Sequence, residues 1–103
     1  NRDARIAAYK KKQAAMKPID RMKKKLEDMR KQRQVHDDAA SRYRDKADEV
    51  RERNPKDSNG IENYNMKADR QEEMADELNM KIQDLKDDIK KMTDKANDIT
   101  KRK

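Results

Sequence analysis

The chain has no cysteine, phenylalanine or tryptophan, one glycine, two prolines and three tyrosines in 103 residues. Each shortage excludes something. Without cysteine there are no disulfides, no thiolate chemistry and no cysteine zinc cluster. One glycine cannot build a glycine-rich phosphate loop. With three aromatic residues and a hydrophobic content of 31%, the chain cannot assemble a globular core of ordinary size. No apolar run approaches the roughly 18 residues that a membrane span needs. No signal-peptide pattern opens the chain, whose first residue is Asn1. A setting inside the cell or within a particle is therefore expected.

What is present is charge. Half of the residues are Asp, Glu, Lys or Arg, and the net charge is +7. Such a composition fits either intrinsic disorder or a long helix that pairs along its length. Charge is also unevenly placed. Residues 1–34 carry 13 basic and 4 acidic side chains, a net of +9; residues 35–88 carry 10 and 16, a net of −6; residues 89–103 carry 6 and 2, a net of +4.

Periodicity decides between the two classes. Paired helices bury residues at alternating spacings of three and four. From Ile19 the series runs Met22, Leu26, Met29, Arg33, His36, Ala40, Tyr43, Ala47 and Val50. From Ile61 it runs Tyr64, Ala68, Gln71, Ala75, Leu78, Ile82, Leu85, Ile89, Met92, Ala96 and Ile99. Only Arg33, His36 and Gln71 are polar. Facing residues in an antiparallel pair have a constant index sum, and a sum of 111 matches Val50 with Ile61, Leu26 with Leu85 and Ile19 with Met92. It also sets Tyr43 against Ala68 and Ala47 against Tyr64, large against small, as interdigitating layers require.

The expected fold is all-α: an antiparallel two-helix coiled-coil hairpin with a short N-terminal helix kinked or separated at Pro18. Residues 1–17 form the basic N-terminal segment, in which Ile6, Tyr9, Gln13 and Met16 make a stripe rotated off the hairpin phase. Residues 18–103 form the hairpin, with a helix over 19–53, a turn over 54–60 and a helix over 61–101. The turn holds the helix breakers Pro55 and Gly60. Asn54 is pushed out of the helical region by the proline that follows it. Asn59 is the expected cap of the second helix, with Glu62 as its capping-box partner and Gly60 as the first helical residue.

Candidate sites are few. His36 is the only histidine and stands at a seam position, where it serves as a spacer or register residue; nothing supplies the converging ligands a metal needs. Acidic pairs such as Glu72–Glu73 and Asp87–Asp88 lie at outward positions, without the cleft that general acid–base chemistry uses. Neither an enzyme nor a bound cofactor is expected. The thin, partly polar middle of the seam fixes register or permits local flexing, and Val35, Met66 and Met80 fall off the seam on outer faces.

The strongest functional signal is basic. Lys10, Lys11, Lys12, Lys17, Arg21, Lys23, Lys24, Lys25, Arg30, Lys31 and Arg33 cluster in the first third. A hairpin brings to that open end Lys90, Lys91, Lys95, Lys101, Arg102 and Lys103. Such an end attracts acidic partners by long-range electrostatics. Two functions follow as expectations. One is a structural or assembly module that docks into or spaces a larger complex, such as a virion, a cytoskeletal array or a ribonucleoprotein. The other is a nucleic-acid-binding arm making non-specific phosphate contacts. Protein partners are expected first, with self-association and nucleic acid behind them. A membrane surface is not expected, because the basic segments lack large apolar anchors.

Overall fold

The structure, a computed structural model, describes residues 2–101, with side chains described through Ile99. Two helices hold almost all of them. Helix α1 is Arg2–Arg53 and helix α2 is Ser58–Lys101. No strand occurs among the described residues. The protein is all-α, and its two long helices are consistent with a helical hairpin. The composition favours this outcome. Only ten residues are Val, Ile or Thr, whose branched side chains restrict rotamers in a helix, and Lys, Arg, Glu, Met and Ala are good helix formers.

The expectation of a separate helix before Pro18 is not met: α1 runs through Pro18 without interruption. A proline inside a helix removes one backbone donor. Here the carbonyl left over belongs to Ala14, and both Ala14 and Pro18 are exposed, so water can take the place of the lost partner. The neighbouring residue, Ile19, is fully buried and anchors this part of α1. The stripe expected in this segment is corrected in part: Met16 is half-buried as expected, whereas Gln13 is exposed. Ile6 and Tyr9 are exposed, at 45% and 63%. Ala8, Lys12 and Ala15 are half-buried instead, and they continue the three-and-four spacing backwards from Ile19.

The connection is shorter than expected. The Asp57 N–H donates to the Asn54 carbonyl at 2.9 Å, closing a four-residue turn over 54–57 with Pro55 second. Proline pre-sets the backbone angle that this turn position requires. Helix α2 therefore starts at Ser58, three residues before the expected Ile61. Its cap is Asp57 rather than Asn59: the Asp57 carboxylate accepts from the Gly60 N–H at 3.0 Å, and the Asp57 carbonyl accepts from Ile61 at 3.2 Å. Glu62 lies too far into α2 to complete a capping box with this cap. Gly60 is not there for its backbone freedom, since no described glycine has a positive φ. A Cβ at Gly60 would meet the Asp57 carboxylate, so the bare position makes room for the cap. Replacing Asp57 by alanine is expected to cost about 1 kcal/mol, measurable as a lower urea midpoint followed by circular dichroism. Asn59→Ala should leave the midpoint in place.

The chain divides into two compact units. Unit 1 comprises residues 1–28 and 81–103, and unit 2 comprises residues 29–80. In unit 2 the contacting pairs ascend along α1 as they descend along α2: Arg33 with Asn79, His36 with Gln71, Tyr43 with Tyr64. Its wholly buried residues are all alanines, Ala40, Ala47, Ala68 and Ala75. Between them the rings of Tyr43 and Tyr64 stack with centroids 6.5 Å apart. Met29, Val50, Ile61 and Leu78 are half-buried. The polar seam positions are also half-buried and are bridged by hydrogen bonds. Nδ1 of His36 lies 2.6 Å from Oε1 of Gln71, so its proton donates to that oxygen, and Arg33 donates to Asn79 at 2.8 Å. No buried side-chain polar atom among the described residues lacks a partner.

In unit 1 the buried residues are Ile19, Ile82 and Ala96. Met22, Leu26, Leu85, Ile89 and Met92 are half-buried. Ile99, expected in the core, is instead 37% exposed. It lies beside a shallow groove that it shares with Ala4, Ala7, Ala8 and Lys11, and alanine side chains are too short to cover it.

Candidate functional site

The basic residues singled out from the sequence fall mostly in one unit. Lys10, Lys11, Lys12, Lys17, Arg21, Lys23, Lys24, Lys25, Lys90, Lys91 and Lys95 all belong to unit 1. Arg30, Lys31 and Arg33 belong to unit 2. The side chain of Lys101, and all of Arg102 and Lys103, lie outside the described residues. By sequence, unit 1 has 18 basic and 9 acidic side chains, a net of +9, whereas unit 2 has 11 and 13, a net of −2. Of the named unit 1 cations only Lys12 is half-buried, and the others are exposed.

The two units use their cations differently. In unit 2, Arg44 forks across the helices. Its Nε and Nη2 both donate to Glu72, at 3.0 and 2.8 Å, and Nη2 also donates to Asp69 at 2.9 Å. The hydrogen bonds from Glu72 first, and from Asp69 second, hold this guanidinium above its ordinary pKa. Arg51 pairs with Asp48 at 3.4 Å. Lys67 lies over both tyrosine rings, 5.8 and 5.7 Å from their centroids, and Lys46 lies 5.9 Å from that of Tyr64. At such distances the ring faces attract the ammonium groups.

In unit 1 the pattern is the reverse. Among the described residues, none of the lysines and arginines named for that unit takes part in an ion pair or hydrogen bond. Lys31 of unit 2 is engaged within the chain, as are Asp3 and Glu27. Unpaired like charges raise the free energy of the folded chain through mutual repulsion. A partner bearing negative charge relieves that repulsion.

Among the described residues no three His, Cys, Asp or Glu side chains converge to hold a metal ion, and His36 is bonded to Gln71. No helix of the described residues is long and apolar enough to cross a membrane. The sequence reading missed the Tyr43–Tyr64 stack and the Arg44 fork. The fork had a signal, since Asp69 and Glu72 sit three apart on one side of α2, where they form a two-carboxylate target for one guanidinium.

Fold and site define a class: a two-helix all-α protein with a strongly basic unit. No family model, curated protein or solved structure matches the chain.

Proposed function

We propose that the chain is a non-enzymatic antiparallel coiled-coil module that docks into, or spaces, a larger assembly through the basic surface of unit 1. The hairpin pairs its helices with an index sum near 111, and Pro18 bends α1 where its ring crowds the carbonyl four residues before it. One observation carries the functional reading. Four cations of unit 2, Arg33, Arg44, Lys46 and Lys67, reach across to the other helix, whereas among the described residues none of the named cations of unit 1 makes an ion pair or hydrogen bond, and all of them but Lys12 are exposed. Cations that make no ion pair within the fold are available for an acidic surface. An assembly within a virion, a cytoskeletal array or a ribonucleoprotein offers such a surface.

A nucleic-acid arm is the second reading, favoured by the same unpaired lysines. It would act through phosphate contacts. Tyr9 is the one aromatic residue of unit 1, so sequential base stacking has no platform.

Fluorescence anisotropy separates the readings, with labelled poly-glutamate and labelled DNA and RNA duplexes titrated across a salt series. The docking module binds poly-glutamate at low salt, loses it as salt rises, and loses it in Lys23→Glu/Lys24→Glu/Lys25→Glu. Duplex binding far tighter than this, with a log–log salt slope of several phosphates, would replace the docking reading with the nucleic-acid arm. Failure to bind any of the three polyanions at low salt would overturn both.

A further inference from the structure

The first turn of α2 holds a reactive pair. Asn59, which is exposed, precedes Gly60, the one glycine of the chain. In such a pair the glycine amide nitrogen can attack the asparagine side-chain carbonyl carbon, because no side chain on the following residue crowds the approach. The new nitrogen–carbon bond closes a five-membered succinimide. The bond from that carbon to the side-chain nitrogen breaks, and the nitrogen leaves as ammonia with the proton from the Gly60 amide. Water then opens the ring at either carbonyl, and no electrons are gained or lost. One opening leaves an ordinary aspartyl residue. The other routes the main chain through the side chain as an isoaspartyl linkage. Every other asparagine is followed by proline or by a residue with a side chain.

We propose that Asn59–Gly60 is a site of spontaneous deamidation whose rate is set by the Asp57 cap. The nitrogen that must attack is the donor of that cap: the Gly60 N–H donates to Oδ1 of Asp57 at 3.0 Å. Two effects hold it back. Ring closure requires Asn59 to leave the helical backbone angles, while the cap and the bond from the Ile61 N–H to the Asp57 carbonyl, 3.2 Å, hold this turn together. The attacking nitrogen must also lose its proton, and the neighbouring carboxylate disfavours the resulting anion. Reaction therefore proceeds through local opening of the turn. Cap and hazard have one origin. A Cβ at Gly60 would meet the Asp57 carboxylate, so the bare position that admits the cap also leaves Asn59 open to attack.

The two products act in opposite directions. An aspartyl residue adds negative charge to the first turn, which the helix dipole favours. An isoaspartyl linkage lengthens the main chain by one carbon between Asp57 and Ile61, and the bond joining them is lost. The site lies within unit 2 and requires nothing of the basic surface of unit 1.

The test is peptide mass spectrometry of the full chain, aged at mildly alkaline pH in buffer and in urea. Conversion at Asn59 in the wild type should be much slower in buffer than in urea. Asp57→Ala should speed conversion in buffer about fivefold, the gain in opening when a cap of ordinary strength is lost. Asp57→Ser keeps a capping oxygen and should stay close to the wild type. Circular dichroism checks that each variant is helical. Wild-type conversion as fast in buffer as in urea would overturn the proposal. So would modification in urea that favours another asparagine over Asn59. A helical Asp57→Ala that converts no faster than the wild type would also overturn it, and slower conversion would mark the carboxylate as a base that assists attack.

Discussion

Replacing Ile19 by alanine is expected to destabilise the protein by about 2–4 kcal/mol, a transfer loss plus a cavity term. Among the described residues Ile19 is the largest side chain that is wholly buried, at 0% exposure. Unit 1 has little with which to compensate, because its other buried residues are Ile82 and Ala96. A domain's total stability is typically about 5–15 kcal/mol, so a loss of this size is a large part of the whole. Urea unfolding monitored at the helical signal reads it directly. Met80→Ala is the control: Met80 is 70% exposed, and surface truncation stays within about 0.5 kcal/mol. Equal midpoints for the two variants would show that Ile19 does not anchor unit 1.

The second large effect is an addition. Replacing Ala68 by leucine adds apolar surface, yet the expected result is a loss of about 1–3 kcal/mol. Ala68 is 0% exposed and belongs to the buried alanine set of unit 2. Where alanines alone exclude water, the helices leave no room for a branched side chain. Leucine would force them apart and disturb the stacked rings of Tyr43 and Tyr64, over which Lys67 lies. The near-ultraviolet tyrosine signal should change along with the lowered urea midpoint. A raised midpoint would mean that Ala68 borders a void and that the core is not packed as described.

Much of the fold is legible in the sequence because the three-and-four spacing is local and repeated. Every seam position from Ile19 to Val50 and from Ile61 to Ala96 is buried or half-buried, Arg33, His36 and Gln71 among them. What was not legible had competing local signals. Ile6 and Tyr9 are bulkier than Ala8 and Ala15, so the eye assigns them to the buried stripe. Packing follows the helix phase set at Ile19 instead. Proline reads as a boundary, but the rule weakens where the freed carbonyl faces water, as at Ala14. Asp57 and Asn59 are equally good caps by type. The Asn54–Asp57 turn bond decides between them, and it appears only once the chain is folded. The basic residues could be named from sequence. Whether each is engaged or unpaired depends on which carboxylate or ring lies opposite, as Arg44 and Lys67 show.

The proposed module rests on the chain folding back on itself with its helices in the stated register. The most direct measurement is disulfide formation in Leu26→Cys/Leu85→Cys, since both positions are half-buried in unit 1 and the native chain has no cysteine. A disulfide requires Cα atoms within about 4.4–6.8 Å. Mild oxidation of the dilute variant is expected to close a link within one chain, giving a monomeric mass with no free thiol. Links only between chains, or thiols that stay free, would contradict it.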